Sequence, residues 1–247
     1  MNYKEQLYND LKTLGIKSGD TILVHTSIKG LNVDNITPND IIDTLLLAIG
    51  NEGTLLVPSL SYASVTIDTP QFDLLNTKSC IGMLPEVFRT EYATHRSIHP
   101  THSVCAIGNL ALLLTQSHQI DNTPVGENSP FQLLPTVNGK ILMLGSGLLP
   151  NTFMHGVEEA ANADYPLAKQ TVEYTITDNV GNTYKKAYYP HSFGTLVQRY
   201  DRLADKLQFP YLVSGNVLNG KAFLIDAKEA MKQGIMAIHN ENHYFVD

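Results

Sequence analysis

The stretch TILVH at residues 21–25 decides the fold class, because it is a short apolar run with the features of a buried strand. Three of its five residues are β-branched, and the turn-forming residues Ser-Gly-Asp precede it directly. Residues 38–49 follow with a helical pattern, for which Thr37 is the predicted N-cap and Pro38 the first helical residue. Gly50 is predicted to end this helix, so the region has the order strand, then helix.

The same alternation continues along the chain. We predict strands at residues 53–57, 103–107 and 140–144, helices at 82–92, 151–163 and 192–207, a long loop at 59–79, and hairpins at 171–189 and 217–225. Strands that alternate with helices favour parallel pairing, whereas the hairpins require antiparallel pairs. The sequence therefore predicts an α/β fold, a layered domain with a mixed parallel/antiparallel sheet flanked by helices. It shows no linker, so we expect a single domain over residues 1–247.

Composition narrows the functional classes. The 247 residues are 43% hydrophobic and 17% charged, with a formal net charge of −7, which is typical of a globular protein. No apolar run reaches the roughly 18–20 residues that span a bilayer, and the polar N-terminus does not resemble a secretion signal, so we expect a cytoplasmic protein without a membrane partner. Lys and Arg are scattered, which argues against nucleic acid as a partner. Two cysteines without Cys-x-x-Cys spacing argue against a thiolate zinc site.

Residues 145–159, GSGLLPNTFMHGVEE, form the richest candidate site. They follow the predicted strand at 140–144, and ligand sites of α/β folds lie at the carboxyl ends of strands. His155 and Glu158 are three residues apart and share one face of a helix. A carboxylate beside an imidazole fixes its tautomer, so His155 is a candidate general base. The alternatives are an incidental surface pair and, for Thr152, a plain N-cap.

Two further polar clusters lie next to predicted strands. Residues 96–103 contain an arginine, three hydroxyls, His99 and His102. The two histidines could bind a metal, but no third ligand is near in sequence, so a polar loop that contacts a ligand is the favoured interpretation. Residues 25–30, HTSIKG, offer backbone N–H groups and a lysine after a strand, which suits a phosphate or a pantetheine amide. They lack the glycine spacing of a Walker or Rossmann loop.

Together these segments resemble the aminoglycoside 3-N-acetyltransferase family, also called the antibiotic N-acetyltransferase fold. The matches follow the family's order, cover most of residues 15–166 and become sparse after Tyr165. They comprise residues 19–27, 53–58, 72–73, 82–89, 96–103 and 126–130, together with Asn151, Thr152, His155 and Glu158.

The resemblance implies an enzyme that transfers an acetyl group from acetyl-CoA to the 3-amino group of an aminoglycoside and needs no metal. It places the catalytic histidine at His155 with Glu158 as its carboxylate. We add Thr152, or a backbone N–H near the turn at residues 145–147, as a candidate donor to the developing oxyanion. The acetyl-CoA site is expected at Thr26, Ser27, Lys29, Gly30, His102 and Ser103. We expect Asp68, Asp73 and Glu159 to hold a cationic amine, in line with the negative net charge, although each could be a solvated surface charge.

The sequence departs from the family at several positions. Residues 37–40 read TPND where the family often has two glycines, Glu159 stands where an aromatic residue is common, and the basic residues after the helix are reduced to Lys169. The reaction class is therefore better specified than the acceptor. The alternatives are acylation of a different amine, a thioesterase, or a non-catalytic protein that binds CoA or an antibiotic. We expect a monomer or a homodimer.

Overall fold

The computed structural model describes residues 3–247, which contain ten β-strands and seven α-helices. The strands are β1 (Thr21–Thr26), β2 (Thr54–Pro58), β3 (Gln71–Asp73), β4 (His95–Arg96), β5 (Val104–Gly108), β6 (Lys140–Leu144), β7 (Val172–Thr177), β8 (Thr183–Tyr188), β9 (Leu212–Val217) and β10 (Gly220–Asp226). The helices are α1 (Tyr3–Leu14), α2 (Pro38–Ile49), α3 (Met83–Val87), α4 (Ala111–Thr115), α5 (Pro130–Leu133), α6 (Phe153–Ala160) and α7 (Ala227–Asn240).

Seven strands form the main sheet in the order β4-β5-β2-β1-β6-β10-β9. The three central strands β2, β1 and β6 are parallel, and the strands on both sides of them are antiparallel. The predicted mixed sheet is therefore confirmed. The β7–β8 hairpin was expected to extend this sheet, which is wrong. It pairs instead with β3, a strand inside the 59–79 segment, and the three strands form a second sheet.

The central strands are apolar over their middle residues because helices cover both faces of the sheet. Leu23 and Ile141 face one apolar cluster, which includes side chains of α6 and α7. Ile22 and Leu142 face the opposite cluster, which includes side chains of α1 and α2. Neighbouring residues of a strand thus both find an apolar environment, which explains why TILVH lacks an alternation of polar and apolar residues.

The helices agree with the predictions where their signals are local. Helix α2 begins at Pro38 and ends at Ile49, and Thr37 and Asp40 form the expected capping box. Helix α6 is shorter than the predicted 151–163. The helix predicted at 192–207 is wrong over its first half, and only Tyr200–Lys206 forms a 3-10 helix. His191 and Gln198 form isolated bridges to Leu167 and Val246, and a turn closed by the Leu196 N–H and the Phe193 carbonyl lies between them.

The 59–79 segment is attached to the main sheet by Arg96 at the end of β4. The guanidinium donates to the carbonyl oxygens of Leu74 at 2.8 Å and Thr77 at 2.7 Å, and it lies 5.0 Å from the ring centre of Phe72. Within residues 3–247, no helix combines the length and the apolar character that crossing a membrane requires.

Candidate active site

The carboxyl ends of the parallel strands β1, β2 and β6 open into a cavity of about 900 Å³. Such an edge is where α/β folds usually bind ligands. The cavity is lined by Val24, His25, Thr26, Pro58, Leu60, Tyr62, Ile81, Leu84, Pro85, His102, Ser146, Leu149, Pro150, Thr152, His155, His191, Phe193, Val197, Gln198 and Tyr200.

His155 and Glu158 form a hydrogen-bonded pair at this cavity. His155 Nδ1 lies 3.2 Å from Oε2 of Glu158, whose side chain is 0% exposed. The hydroxyls of Tyr165 and Tyr200 also donate to this carboxylate, at 3.0 and 2.9 Å. A buried carboxylate is tolerated only when donors surround it, and here three do. His155 Nδ1 also lies 2.9 Å from the Tyr200 hydroxyl oxygen, whose own proton is donated to Glu158. Both neighbours of Nδ1 can therefore accept its proton, which leaves Nε2 of His155 with a lone pair.

A second imidazole–carboxylate pair lies beside the first. His191 Nε2 is 3.2 Å from Oε1 of Glu159, and the His191 and His155 ring centres are 4.5 Å apart. His191 Nδ1 is 3.2 Å from Nε2 of His102. Burial lowers the pKa of both His102 and His191 well below the usual value and raises the pKa of Glu159 to about 7. Both imidazoles are therefore neutral near neutral pH.

Sequence reasoning missed His191. It stands alone in the sequence Tyr-Pro-His-Ser, far from the other site residues. The bridge between His191 and Leu167 returns the chain to the cavity after the β7–β8 hairpin. No pattern near His191 could have revealed that contact.

The start of α6 is fixed by His25 at the end of β1. Nε2 of His25 accepts the backbone N–H of Thr152 at 3.0 Å, and burial lowers the pKa of His25 to about 3. The Thr152 side chain makes no capping hydrogen bond within the described residues, so it is not the plain N-cap of the alternative interpretation. Thr152 lines the cavity instead.

The residues of the turn after β1 that were predicted to bind acetyl-CoA do not all reach the cavity. Thr26 lines the cavity, and its buried hydroxyl has no partner within residues 3–247. Ser27 Oγ accepts the Gly30 N–H at 3.1 Å, and Lys29 is exposed. Gly30 packs against backbone, since a Cβ there would lie 1.9 Å from the carbonyl oxygen of Gly145. Of these four residues, the structure brings only Thr26 to the cavity.

The 96–103 segment is divided in the same way. His102 lines the cavity, whereas Ser103 is fully buried and does not. Ser103 Oγ donates to the Ser59 carbonyl at 2.8 Å and accepts from Arg96 Nε at 3.0 Å, so it braces the loop. Nδ1 of His99 accepts the backbone N–H groups of residues 101 and 102, which shapes the turn.

The three carboxylates predicted to bind the amine do not meet in the cavity. Asp68 is exposed on its loop, and Asp73 accepts the backbone N–H groups of Leu75 and Asn76 in a turn. Glu159 lies behind His191 and also accepts the Val125 N–H at 2.9 Å. For the described part of the chain, the cavity lining includes no Asp, Glu, Lys or Arg. The expected acidic lining is therefore replaced by a neutral one.

Comparison with known proteins identifies the family. The family model described as Aminoglycoside 3-N-acetyltransferase matches residues 23–238. The chain belongs to the aminoglycoside 3-N-acetyltransferase family. The resemblance inferred from the sequence motifs is thus confirmed.

Individual members of the family agree in sequence and in fold. Aminoglycoside N(3)-acetyltransferase VIII of Streptomyces fradiae is 30% identical over 193 residues, which cover 71% of this chain but only 66% of the relative. The chain thus spans just under two thirds of that relative's length. The crystal structure of aminoglycoside acetyltransferase AAC(3)-Xa matches with a TM-score of 0.84 and 25% identity, over 96% of this chain and 92% of that one. The structure titled AAC-IIIb binary with CoASH matches with a TM-score of 0.81 and 25% identity, over 96% of each chain.

Proposed function

We propose that the protein is a single-domain, cytoplasmic N-acetyltransferase, which moves the acetyl group of acetyl-CoA to the 3-amino group of an aminoglycoside. His155 is the general base and Glu158 its supporting carboxylate. The observation that carries this proposal is the 3.2 Å contact of His155 Nδ1 with a fully buried carboxylate at the wall of the cavity. Family membership supports the reaction class.

His155 supplies the proton transfer that the reaction needs. An ammonium group has no lone pair, so it must lose a proton before its nitrogen can attack a thioester. Nε2 of His155 accepts that proton, directly or through water, while Nδ1 stays bonded to Glu158. Glu158 stabilises the imidazolium that forms, and the Tyr165 and Tyr200 hydroxyls hold the carboxylate in position.

The cavity has features that suit acetyl-CoA, which supplies the acyl group as an activated thioester. The buried Thr26 hydroxyl lacks a partner within residues 3–247 and lines the cavity, as Thr152 does. Either hydroxyl can donate to the acyl carbonyl oxygen, which gains negative charge during attack. The exposed Lys29, in the turn after β1, is our candidate for a CoA phosphate. The structural neighbour titled AAC-IIIb binary with CoASH supports acetyl-CoA as the co-substrate.

The acceptor is proposed from the relatives, which are named as aminoglycoside N(3)-acetyltransferases. Because the lining lacks carboxylates, recognition of the amine has to use other groups. Tyr62, Phe193 and Tyr200 present aromatic rings to the cavity, and ammonium groups bind favourably over such rings. We therefore expect ring faces and hydroxyl groups, rather than ion pairs, to orient the acceptor.

The test is an acetyl-CoA turnover assay that follows the released thiol, with a panel of kanamycin-like, gentamicin-like and simple amines. We expect thiol release that depends on the amine, together with a mass increase of one acetyl group on an aminoglycoside. Thiol release without an amine would identify a thioesterase. Binding of CoA or an aminoglycoside without turnover would identify a sequestering protein, and exclusive use of a neutral or anionic amine would overturn the acceptor.

A further inference from the structure

Three imidazoles from distant parts of the sequence converge at the cavity. One ring nitrogen from each of His102, His155 and His191 lies within 4.8 Å of those from the other two. We propose that these histidines form a binding site for a divalent d-block cation such as Zn²⁺, distinct from anything that the transfer reaction requires. The sequence could not indicate this site, because His155 and His191, the other two ligands, lie far from His102 along the chain.

The spacing of the nitrogens suits such an ion. His102 Nε2 and His191 Nδ1 are 3.2 Å apart. Two imidazole nitrogens on a tetrahedral Zn²⁺, each about 2.0–2.1 Å from the ion, lie about 3.3 Å from one another. The separations to the His155 nitrogen are at most 4.8 Å, so a shift of about 1.5 Å by one ring completes the triangle.

Each histidine is also held on its other nitrogen, as metal-binding histidines usually are. His155 Nδ1 contacts Glu158, and His191 Nε2 contacts Glu159, both at 3.2 Å. His102 Nδ1 lies 2.8 Å from the Thr101 hydroxyl. These contacts leave His102 Nε2, His191 Nδ1 and His155 Nε2 as the ligand atoms.

The hydroxyl of Thr101 allows His102 to change tautomer. Without a cation, His102 Nε2–H can donate to the lone pair of His191 Nδ1. When a cation binds, the proton of His102 moves to Nδ1 and is donated to Thr101, since a hydroxyl can accept as well as donate. Both nitrogens that face each other can thus present a lone pair to the ion.

The ligand set selects the type of cation. Imidazole nitrogens suit Zn²⁺, Cu²⁺ and Ni²⁺, whereas Mg²⁺ and Ca²⁺ require oxygen ligands. Three protein ligands leave one position of a tetrahedral ion open towards the cavity that all three histidines line.

Binding would compete with acetyl transfer, a consequence that rests on the proposed function. A cation held by His155 Nε2 occupies the lone pair that takes a proton from the amine. The same imidazole cannot do both, so the cation-bound protein is inactive. Zn²⁺ is therefore expected to inhibit transfer, and a chelator to restore it.

Calorimetric titration of metal-free full-length protein with zinc chloride tests the site directly. We expect one equivalent to bind to the unmodified protein and to His239→Ala, which alters an exposed histidine on α7. His102→Ala and His191→Ala should each lose at least tenfold in affinity, and Glu159→Gln, which alters the support of His191, about 10–100-fold. Equal affinity of the unmodified protein, His102→Ala and His191→Ala would overturn the site.

Cobalt(II) provides a measurement that needs no variant. On the unmodified protein, ligation by three imidazoles in a four-coordinate site gives an intense visible absorption, and zinc chloride should abolish it. A spectrum equal to that of aqueous Co²⁺ would overturn the site even if a variant fails to fold. Metal binding without acetylation of any amine would overturn only the proposed function, whereas acetylation without metal binding would overturn only this inference.

Discussion

The Oε2 atom of Glu158 lies 3.2 Å from Nδ1 of His155, and the Glu158 side chain is completely buried. The carboxylate cannot be reached by an acceptor in the cavity, so in the proposed mechanism it acts only through the imidazole. His155 is 13% exposed and lines the cavity, so it is the member of the pair that a ligand in the cavity can contact. This division of roles between a buried and an accessible partner leads to the first two predictions.

We expect His155→Ala to lower kcat by about 10²–10⁴, because the amine loses its proton acceptor. Thiol release with saturating acetyl-CoA and amine measures the effect, and the melting temperature checks that the fold persists. His239→Ala serves as the control, since that imidazole is exposed on α7, and it should retain the kcat of the unmodified protein. A His155→Ala protein with undiminished kcat would remove His155 from the mechanism.

We expect Glu158→Gln to lower kcat by up to about 10⁴, the scale seen when the carboxylate of a catalytic triad becomes an amide. The amide carries no charge to stabilise the imidazolium, and its NH₂ group faces hydroxyl donors. Tyr165→Phe is the matched comparison, because it removes one hydrogen bond to the same carboxylate and keeps the charge. Its loss of kcat should be smaller. Similar losses in the two variants would show that the effect of Glu158 does not depend on its negative charge.

Stability should fall in acid because of buried neutral histidines. Burial lowers the pKa of His25 and of His118 to about 3, from 6.5. Below pH 6.5 the unfolded chain takes up these protons and the folded chain does not, so each residue removes up to about 1.4 kcal/mol of unfolding free energy per pH unit until pH 3. Above pH 6.5 the imidazoles are neutral in both the folded and the unfolded chain, so this loss of stability is absent.

Urea unfolding at a series of pH values measures this effect, with circular dichroism as the signal. The transition midpoint should fall steadily from about pH 6.5 to about pH 4. His118→Gln should reduce the slope, whereas His239→Gln, at an exposed position, should leave it unchanged. A midpoint that stays constant over this range would contradict the burial of neutral imidazoles.

Gly30→Ala should destabilise the fold, by about 1–3 kcal/mol or more, because the added methyl group meets backbone that cannot move aside. The new Cβ would lie 1.9 Å from the Gly145 carbonyl oxygen. Gly215→Ala is the control, since its Cβ meets only the tip of the Leu14 side chain, at 3.2 Å. Urea unfolding compares the two variants. Equal stability of the two variants would show that the backbone at Gly30 and Gly145 has room for a methyl group.

Sequence reasoning succeeded where the signals are local. Helix α2 was predicted to the residue, because Thr37, Pro38 and Gly50 each act on the neighbouring backbone. The central strands were predicted because short apolar runs bounded by turn residues are typical of buried strands in an α/β chain. The pair His155 and Glu158 was found because both residues lie on one helix turn.

The remaining features depend on contacts between distant segments. His191 reaches the cavity through a single bridge, and the pairing of β3 with β7 separates the second sheet from the first. Glu159 was predicted to bind substrate. Its carboxylate instead contacts the imidazole of His191, 32 positions later in the chain. Helix α7, which was not predicted, carries small residues such as Ala230 and Gly234 on the face that packs against the core. Four of the five buried residues of α7 are Ala or Gly and only Ile238 is large, which weakens the apolar pattern that marks a helix in sequence.

The attachment of the 59–79 segment by Arg96 has a consequence for protein engineering. This segment cannot be replaced independently of the rest of the chain, since its carbonyl groups at Leu74 and Thr77 accept hydrogen bonds from Arg96 on β4. A graft from a different protein that shifts those carbonyls would leave the partly buried guanidinium of Arg96 without these hydrogen-bond acceptors. One wall of the cavity is therefore transferable only together with the β4–β5 hairpin, so recombination between homologues should choose crossover points that keep both pieces from the same parent.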